Sequence, residues 1–418
     1  MPETLFENFI RFAEKRKLSE KLYVVGGAVR DMFMNNELKD IDIAFIGNAL
    51  ELAKDFASEA EASYVLLDED FSVARVVKGN QVIDLANMRY GTLDIDLSER
   101  DLTINAMALP LRFAATRNIE EIIDPLNGLA DIKNRVIRMV ADENFMKDPL
   151  RMLRVYRFAA ILGYSIEDKT REAVRAFAPM LTSVPGERIA EELRHIFKND
   201  ESCNMLSLMA EDGLFQKVFA KCDPKQALDL YCGVEEMLDP SSNNLTASTK
   251  DFVKTNPVMI CLKLSTLFQS EKNIVAFSSA MKISRQEAEL TKRYFCGRNL
   301  LADLRVKDAA PDSKEAVGFL IKFRHDIYPL SVLATAMDRG ISDYCKGLIS
   351  FYETVFKKRE SLLPLINGYD IKKEFALKAS PLFKKILDAI ELGVLEGNIA
   401  EREQALSLAR EVINRNMI

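Results

Sequence analysis

A chain of 418 residues exceeds one ordinary domain, since domains run to roughly 100 to 200 residues each, so about two to four compact units are expected. Apolar residues at 48% and charged ones at 29% exclude a disordered chain, and a net charge of −6 excludes a protein coated in positive potential; any nucleic acid must be held by a local basic patch. The opening stretch "MPETLFENFIRFAEKRKLSE" reads as an amphipathic helix without the apolar centre of a signal peptide, and no apolar run approaches membrane-spanning length, so a cytoplasmic protein with no membrane partner is expected.

In chain order, "KLYVVGG", "DIDIAFIG", "SYVLL", "SVARVV" and "QVIDLA" predict five strands before about residue 140. From residue 148 onward the periodicity is almost wholly helical, broken at "SVPGER", "DPSSNNLTAST", "AAPDSK" and "LPLINGYD". The expectation is an α/β head followed by an all-helical remainder, without internal repeats. Cys203, Cys222, Cys232, Cys261, Cys296 and Cys345 form no C-x-x-C pair and read as buried reduced thiols rather than a metal site.

The first strand runs into Gly26-Gly27 and then a helical stretch, a turn whose backbone N–H groups can cradle phosphate; tight-turn chemistry alone explains it equally well. Asp40 and Asp42 follow on the second strand. Strand alternation sends both to one face and Ile41 and Ile43 to the other, where paired carboxylates suit a hard cation such as Mg²⁺. The bland alternative is an edge strand with acids facing water. Asp84, inside the apolar pattern of "QVIDLAN", adds a third strand-borne acid, and such acids beside a phosphate cradle suit two-metal phosphoryl transfer from a triphosphate.

"ERDLTINAMAL" places Arg100 and Asp101 ahead of a predicted apolar helix, with Asn105 one turn on; Arg100 suits a triphosphate and Asp101 or Asn105 a ribose hydroxyl, against a plain helix cap. "DPLNGLADI" reads as a structural turn. In "KDPLRMLRVYRFAAILG" the helix is apolar nearly all round, so Arg151, Arg154 and Arg157 need anionic partners, either structural carboxylates or nucleotide phosphates. Asp148 and Arg151, one turn apart, offer an acceptor and a donor that match the pairing edges of cytosine and adenine and oppose those of guanine and uracil; a local ion pair is the alternative.

These stretches resemble the class II tRNA nucleotidyltransferase and bacterial poly(A) polymerase family of the DNA polymerase β-like superfamily. "GGAVRD…DID" is similar to its motif A, "RDLTINAM" to motif B, "DPLNGLADIKNRVIR" to motif C, "DPLRMLRVYRFAA" to motif D and "ERIAEEL" to motif E. The resemblance implies an α/β nucleotidyltransferase head over 1–140, a nucleotide-selecting neck over 141–202, a helical body over 203–330 and a helical tRNA-binding tail over 331–418. It further implies Mg²⁺ on Asp40 and Asp42, with Asp84 a third ligand or an orienting group. Gly26, Gly27 and Arg30 would surround the triphosphate, and Arg100, Asp101 and Asn105 would handle ribose and phosphates. Asp148 and Arg151 would act as an amino-acid template, with Arg154 and Arg157 beside the nucleotide.

The chain departs from the family pattern in three places. Lys147 stands where Glu is usual and Glu99 where Arg is usual. Only "YGTLDI" separates "IDLANMR" from "DLSERD", where enzymes completing the whole CCA end usually carry a longer flexible loop. The shortened loop looks like the CC-adding subtype, which implies CTP as substrate, leaves ATP open, and calls for a separate A-adding enzyme acting on the same tRNA acceptor arm. The rivals are a full CCA-adding enzyme and a poly(A) polymerase, whose usual basic extension is missing from "AEREQALSLAREVINRNMI". A metal phosphohydrolase is disfavoured because His195 and His325 are the only histidines, and a silent RNA-binding protein because Asp40 and Asp42 are intact.

Overall fold

The computed structural model describes residues 4–38, 40–70, 72–88, 91–255, 257–307, 309–378 and 380–416. They form two compact units, Met1–Val218 and Phe219–Ile418.

The first unit is built on β1 (Leu22–Val25), β2 (Asp40–Phe45), β3 (Ser63–Asp68), β4 (Val73–Lys78), β5 (Gln81–Asn87) and β6 (Ala108–Pro110), in the spatial order β3-β4-β5-β2-β1-β6. β2 and β5 run parallel and every other pairing is antiparallel. Ile41 and Ile43 stand opposite Ile83 and Leu85, and these four, with Ala74 and Val76, are buried. This one-sided burial fixes the register, because a slip of one residue would bury Asp40 and Asp42 and expose the isoleucines. Helices α1 (Leu5–Lys15) and α3 (Ala49–Glu59) lie on β5 and on β4 and β5 respectively. They meet through Phe9, Phe12 and Phe56, with ring centroids 5.0 and 5.1 Å apart across the two contacts with Phe56. α1 is the expected amphipathic helix, started by a capping box between Thr4 and Glu7.

All five predicted strands are present, and β6 is a sixth. The helix expected after Asp101 does not form; a 3₁₀ turn, Thr103–Asn105, leads into β6 on the edge of β1. Every residue from Asp101 to Leu111 is buried, and a fully buried strand carries no alternation to separate it from a buried helix. "DPLNGLADI" is structural as expected: the Asp124 carboxylate accepts the N–H groups of Gly128 and Leu129 at 2.7 and 2.9 Å, opening helix Gly128–Asn134. Helix Arg151–Leu162 ends at Gly163 in the left-handed region and packs against helix Gly186–Phe197.

The described residues of the second unit are helical outside their connections. The expected breaks at 239–249, 309–314 and 363–370 begin between helices and run into the first residues of the next, and the break at 183–188 likewise overlaps the start of helix Gly186–Phe197 in the first unit. One apolar core gathers Leu262, Tyr294, Leu301, Leu330 and Leu333; another joins helices Gly368–Phe375, Pro381–Glu396 and Arg402–Asn416 through Ile371, Ile390 and Ala409. Position 330, the expected edge of the body, lies inside helix Ile327–Met337. Cys222, Cys261 and Cys345 are buried free thiols and Cys296 a half-buried one, whereas Cys203 and Cys232 are disulfide-bonded, against the expectation of six reduced thiols. Among the described residues no helix is long and apolar enough to cross a membrane.

Gly128 holds the helix it opens against the 3₁₀ turn, for a Cβ there would stand 2.3 Å from the Thr103 carbonyl oxygen. Gly128→Ala is therefore expected to cost about 1 to 3 kcal/mol, read as a lowered urea midpoint of the first unit.

Candidate active site

The cross-strand register puts Asp42 of β2 opposite Asp84 of β5, and Asp84 opposite Arg75 of β4. Asp84 is not a bare acid: Arg75 donates to both its oxygens at 2.8 Å. No hydrogen bond or ion pair from the described residues reaches Asp40 or Asp42, and both are exposed. The protein crowding the cleft floor pushes the Asp42 carboxyl above its usual range, Asp84 and Asp40 push it further, and Arg100 and Arg154 oppose them. A divalent cation would relieve that repulsion. Among the described residues no three His, Cys, Asp or Glu side chains gather into a closed metal site, but Mg²⁺ needs only one or two carboxylates when substrate phosphates complete its shell. Asp40 and Asp42 fit that requirement, and Asp84 is already committed to Arg75.

The glycine turn explains how backbone comes so close to these acids. Gly26 sits at φ 74°, and a Cβ on it would lie 2.8 Å from Arg100 Nη1 and 3.3 Å from Asp42 Oδ2. Its N–H donates to the Met107 carbonyl, so this amide is not free to cradle a phosphate. Gly27 opens α2 (Gly27–Phe33), and a Cβ there would meet only the Arg30 side chain, at 3.4 Å or beyond.

Arg30 is buried and donates to Asp31 and, through Nη1 at 2.7 Å, to Asn105 Oδ1. Asn105 donates in turn to Asp101 at 3.3 Å, and Arg154 Nε donates to the other Asp101 oxygen at 2.6 Å. Burial alone would raise the Asp101 carboxyl, but Arg154 and the N–H groups of Leu102 and Asn105 hold it below its usual range. Arg157 donates to Glu192 at 3.2 Å, while Arg157 Nε and Glu192 Oε2 are buried without partners among the described residues. Burial pushes the Glu192 carboxyl up despite Arg157 and Arg154. Structural carboxylates are thus present for Arg154 and Arg157, both half-buried.

Arg100 is clamped by Asp96, Nε at 3.3 Å and Nη2 at 3.1 Å, across one turn at the end of α4 (Leu93–Ser98). Asp148 pairs with Arg188 at 2.9 Å rather than with Arg151, whose Nη1 reaches the Asn144 carbonyl at 3.4 Å. The two departures from the family pattern meet: Lys147 Nζ donates to both Glu99 oxygens at 2.7 Å.

A cleft of about 360 Å³ gathers Asp42, Asp84, Arg100, Asp101, Asp148, Arg151 and Arg154, together with Glu99, noted above as a departure from the family pattern, and with Asp96 and Arg188, which sequence reasoning did not single out. Asp40, Gly26, Gly27, Arg30, Asn105 and Arg157 do not line it. Of the overlooked residues only Asp96 carried a local signal, its i,i+4 spacing to Arg100.

Residues 22–95 and 90–138 match the family described as the poly(A) polymerase head domain, and residues 163–226 the one described as a probable RNA and SrmB binding site of polymerase A. The sheet and its acid-floored cleft are a nucleotidyltransferase head. A CC-adding tRNA nucleotidyltransferase of a Synechocystis species is 27% identical over 93% of each chain, and an A-adding one of Halalkalibacterium halodurans 26% identical over 99% of this chain and 95% of its own. The chain therefore carries the head domain of that family, is similar over nearly its whole length to tRNA nucleotidyltransferases, and is an enzyme of nucleotidyl transfer. The solved structure of a CCA-adding enzyme with CTP shares its fold, at a TM-score of 0.74 and 22% identity over 98% of this chain and 94% of that one.

Reversing either partner of the pair at the cleft edge brings like charges together, and reversing both restores the attraction. Glu99→Arg and Lys147→Glu are each expected to lower kcat/KM for nucleotide incorporation a few-fold, and the double variant to recover it, a coupling of about 0.5 to 1 kcal/mol in a double-mutant cycle.

Proposed function

We propose that the chain rebuilds the 3′ end of tRNA from CTP without a template and is of the CC-adding subtype, a separate enzyme adding the final A. The observation that carries the subtype is the short path from β5 to Arg100: after Asn87 the chain soon enters α4, where Leu97 is fully buried and Asp96 grips Arg100. A connection used up by a packed helix has no length left for the long mobile loop that the resemblance associates with changing from C to A.

Asp40 and Asp42 would hold Mg²⁺, which supplies Lewis-acid stabilisation of the α-phosphate and of the attacking and leaving oxygens. Asp84, fixed by Arg75, orients the tRNA 3′-hydroxyl beside them. Arg100 and Arg30 attract the triphosphate near the glycine turn of Gly26 and Gly27, while Asp101 and Asn105, locked together, present a rigid edge to the ribose. Asp148 accepts from the exocyclic amino group of cytosine or adenine and Arg151 donates to the neighbouring ring nitrogen. The Arg188 pair does not exhaust Asp148, since each carboxylate oxygen accepts more than one hydrogen bond. Arg154 and Arg157 steady this face. The helical regions beyond the head, proposed as neck 141–202, body 203–330 and tail 331–418, hold the acceptor arm through its shape and backbone, so binding should weaken steeply with salt.

Incubating the enzyme with tRNA stripped of its 3′ end, and supplying CTP and ATP separately and together, tests the reading by product length. Growth by two nucleotides with both supplied supports it; growth by three shows a complete CCA-adding enzyme, and a run of A a poly(A) polymerase. Asp42→Ala is expected to cut CMP incorporation about a hundredfold or more, in line with the several kcal/mol a metal centre supplies. Asp148→Ala and Arg151→Ala should instead raise misincorporation of GMP and UMP relative to CMP; unchanged base choice in both would remove the template assignment.

A further inference from the structure

The second unit contains a cavity of about 460 Å³ lined by Gln226 and Asp229 of helix Pro224–Leu238, by Gln269, and by Phe295, Arg298 and Asn299 of helix Arg285–Val306. Arg298 is only 7% exposed. Its Nη1 and Nη2 donate to the backbone carbonyls of Ser265 and Phe268 at 3.0 and 3.3 Å, its guanidinium lies 4.6 Å from the Phe295 ring centroid, and its Nε has no acceptor among the described residues. No carboxylate among the described residues pairs with it, and burial drops its pKa to about 10. Two other buried charges of this unit have counter-charges, Lys263 in Glu235 at 2.6 Å and Asp326 in Arg293 at 2.9 Å, while buried Lys250 donates to three backbone carbonyls, those of Asp239, Pro240 and Ser242. A buried guanidinium without a counter-charge is costly, and its natural complement is an anion.

The cavity is unsatisfied in the opposite sense as well. Gln269 Oε1 is buried and receives no hydrogen bond from the described residues, so a ligand that brings a donor along with its negative charge complements the cavity. We propose that this cavity binds a terminal phosphate in its singly charged form, which keeps a P–OH. The P–O⁻ oxygens accept from Arg298 and from the amides of Asn299 and Gln226, and the P–OH donates to Gln269. Asp229, exposed at the lining, opposes a doubly charged anion and favours the protonated one. Ionised carboxylates and sulfate carry no such proton, and internal phosphodiesters of RNA carry none either. The volume left beyond one phosphate accommodates the body of a small phosphate monoester or a phosphorylated RNA end.

Equilibrium dialysis of the full-length enzyme against labelled orthophosphate near pH 6.5, at constant ionic strength, tests the site. Saturable binding is expected in the wild type, at least tenfold weaker in Arg298→Met and in Gln269→Leu, with sulfate a poor competitor. Wild-type protein without saturable binding, or binding unaltered by either substitution, overturns the proposal; should Arg298→Met fail to fold by circular dichroism, Gln269→Leu decides alone. Competition with tRNA then assigns the source: displacement by 5′-phosphorylated but not by dephosphorylated tRNA identifies an RNA end, and displacement by neither a free small-molecule phosphate.

Discussion

The head depends on holding like charges side by side. Adjacent strands lie about 4.8 Å apart, so a register that sets Asp42 beside Asp84 and Asp84 beside Arg75 fixes three ionisable groups in one row. Arg75 spans the end of the row and neutralises Asp84, which leaves Asp42 crowded, its carboxyl pushed up, and without a cationic partner of its own among the described residues. Arginines nearby could have collapsed onto it. They do not, because each is restrained by another acceptor: Arg100 by Asp96, Arg154 by Asp101. The restraint keeps positive charge around the cleft while leaving the floor open to a divalent ion, and Gly26 allows backbone, with no side chain, to close the remaining space.

A second line of polar groups stiffens the wall of the same cleft. From Asp31 through Arg30, Asn105 and Asp101 to Arg154, each group donates to the next or accepts from it, tying α2, the 3₁₀ turn and helix Arg151–Leu162 into one frame. Beyond it, Arg154 and Arg157 share Glu192 of helix Gly186–Phe197. Buried networks of this kind bring little net stability, since desolvation offsets most of the Coulombic gain. Their contribution is geometric: Arg154 cannot rotate away without leaving Asp101 unanswered and Glu192 to Arg157 alone. Arg157 Nε and Glu192 Oε2, without partners among the described residues, mark where the network stops being complete, at the end opposite Asp31.

How much of this the sequence disclosed follows from the range of each interaction. The five alternating strands and the paired acids were readable because alternation is local, and the helical remainder because its apolar period persists. β6 was hidden by uniform burial, which erases the period. Partners were hidden by distance along the chain: Arg75 lies nine positions from Asp84, Arg188 forty from Asp148 and Arg154 fifty-three from Asp101. A single sequence states that a buried arginine needs an anion without stating which, and Asp101 first looked like a ribose ligand or a cap when its nearest task is to hold Arg154. The same kind of statement is what singles out Arg298, whose anion the fold does not supply.

The pairing of Lys147 with Glu99 changes what a departure from a family pattern means. Taken one at a time, a lysine before Asp148 and a glutamate before Arg100 each alter the charge beside a residue assigned to the nucleotide. Taken together they cancel, because the two side chains meet and the sum at the cleft edge is zero whichever residue carries which sign. What the exchange reverses is the direction of a small dipole, and with the Lys147 side chain half exposed, water and salt screen that field within about 10 Å. The constraint inherited at these positions is therefore on the pair and not on either residue, and the acids and arginines deeper in the cleft feel almost the same potential under both arrangements.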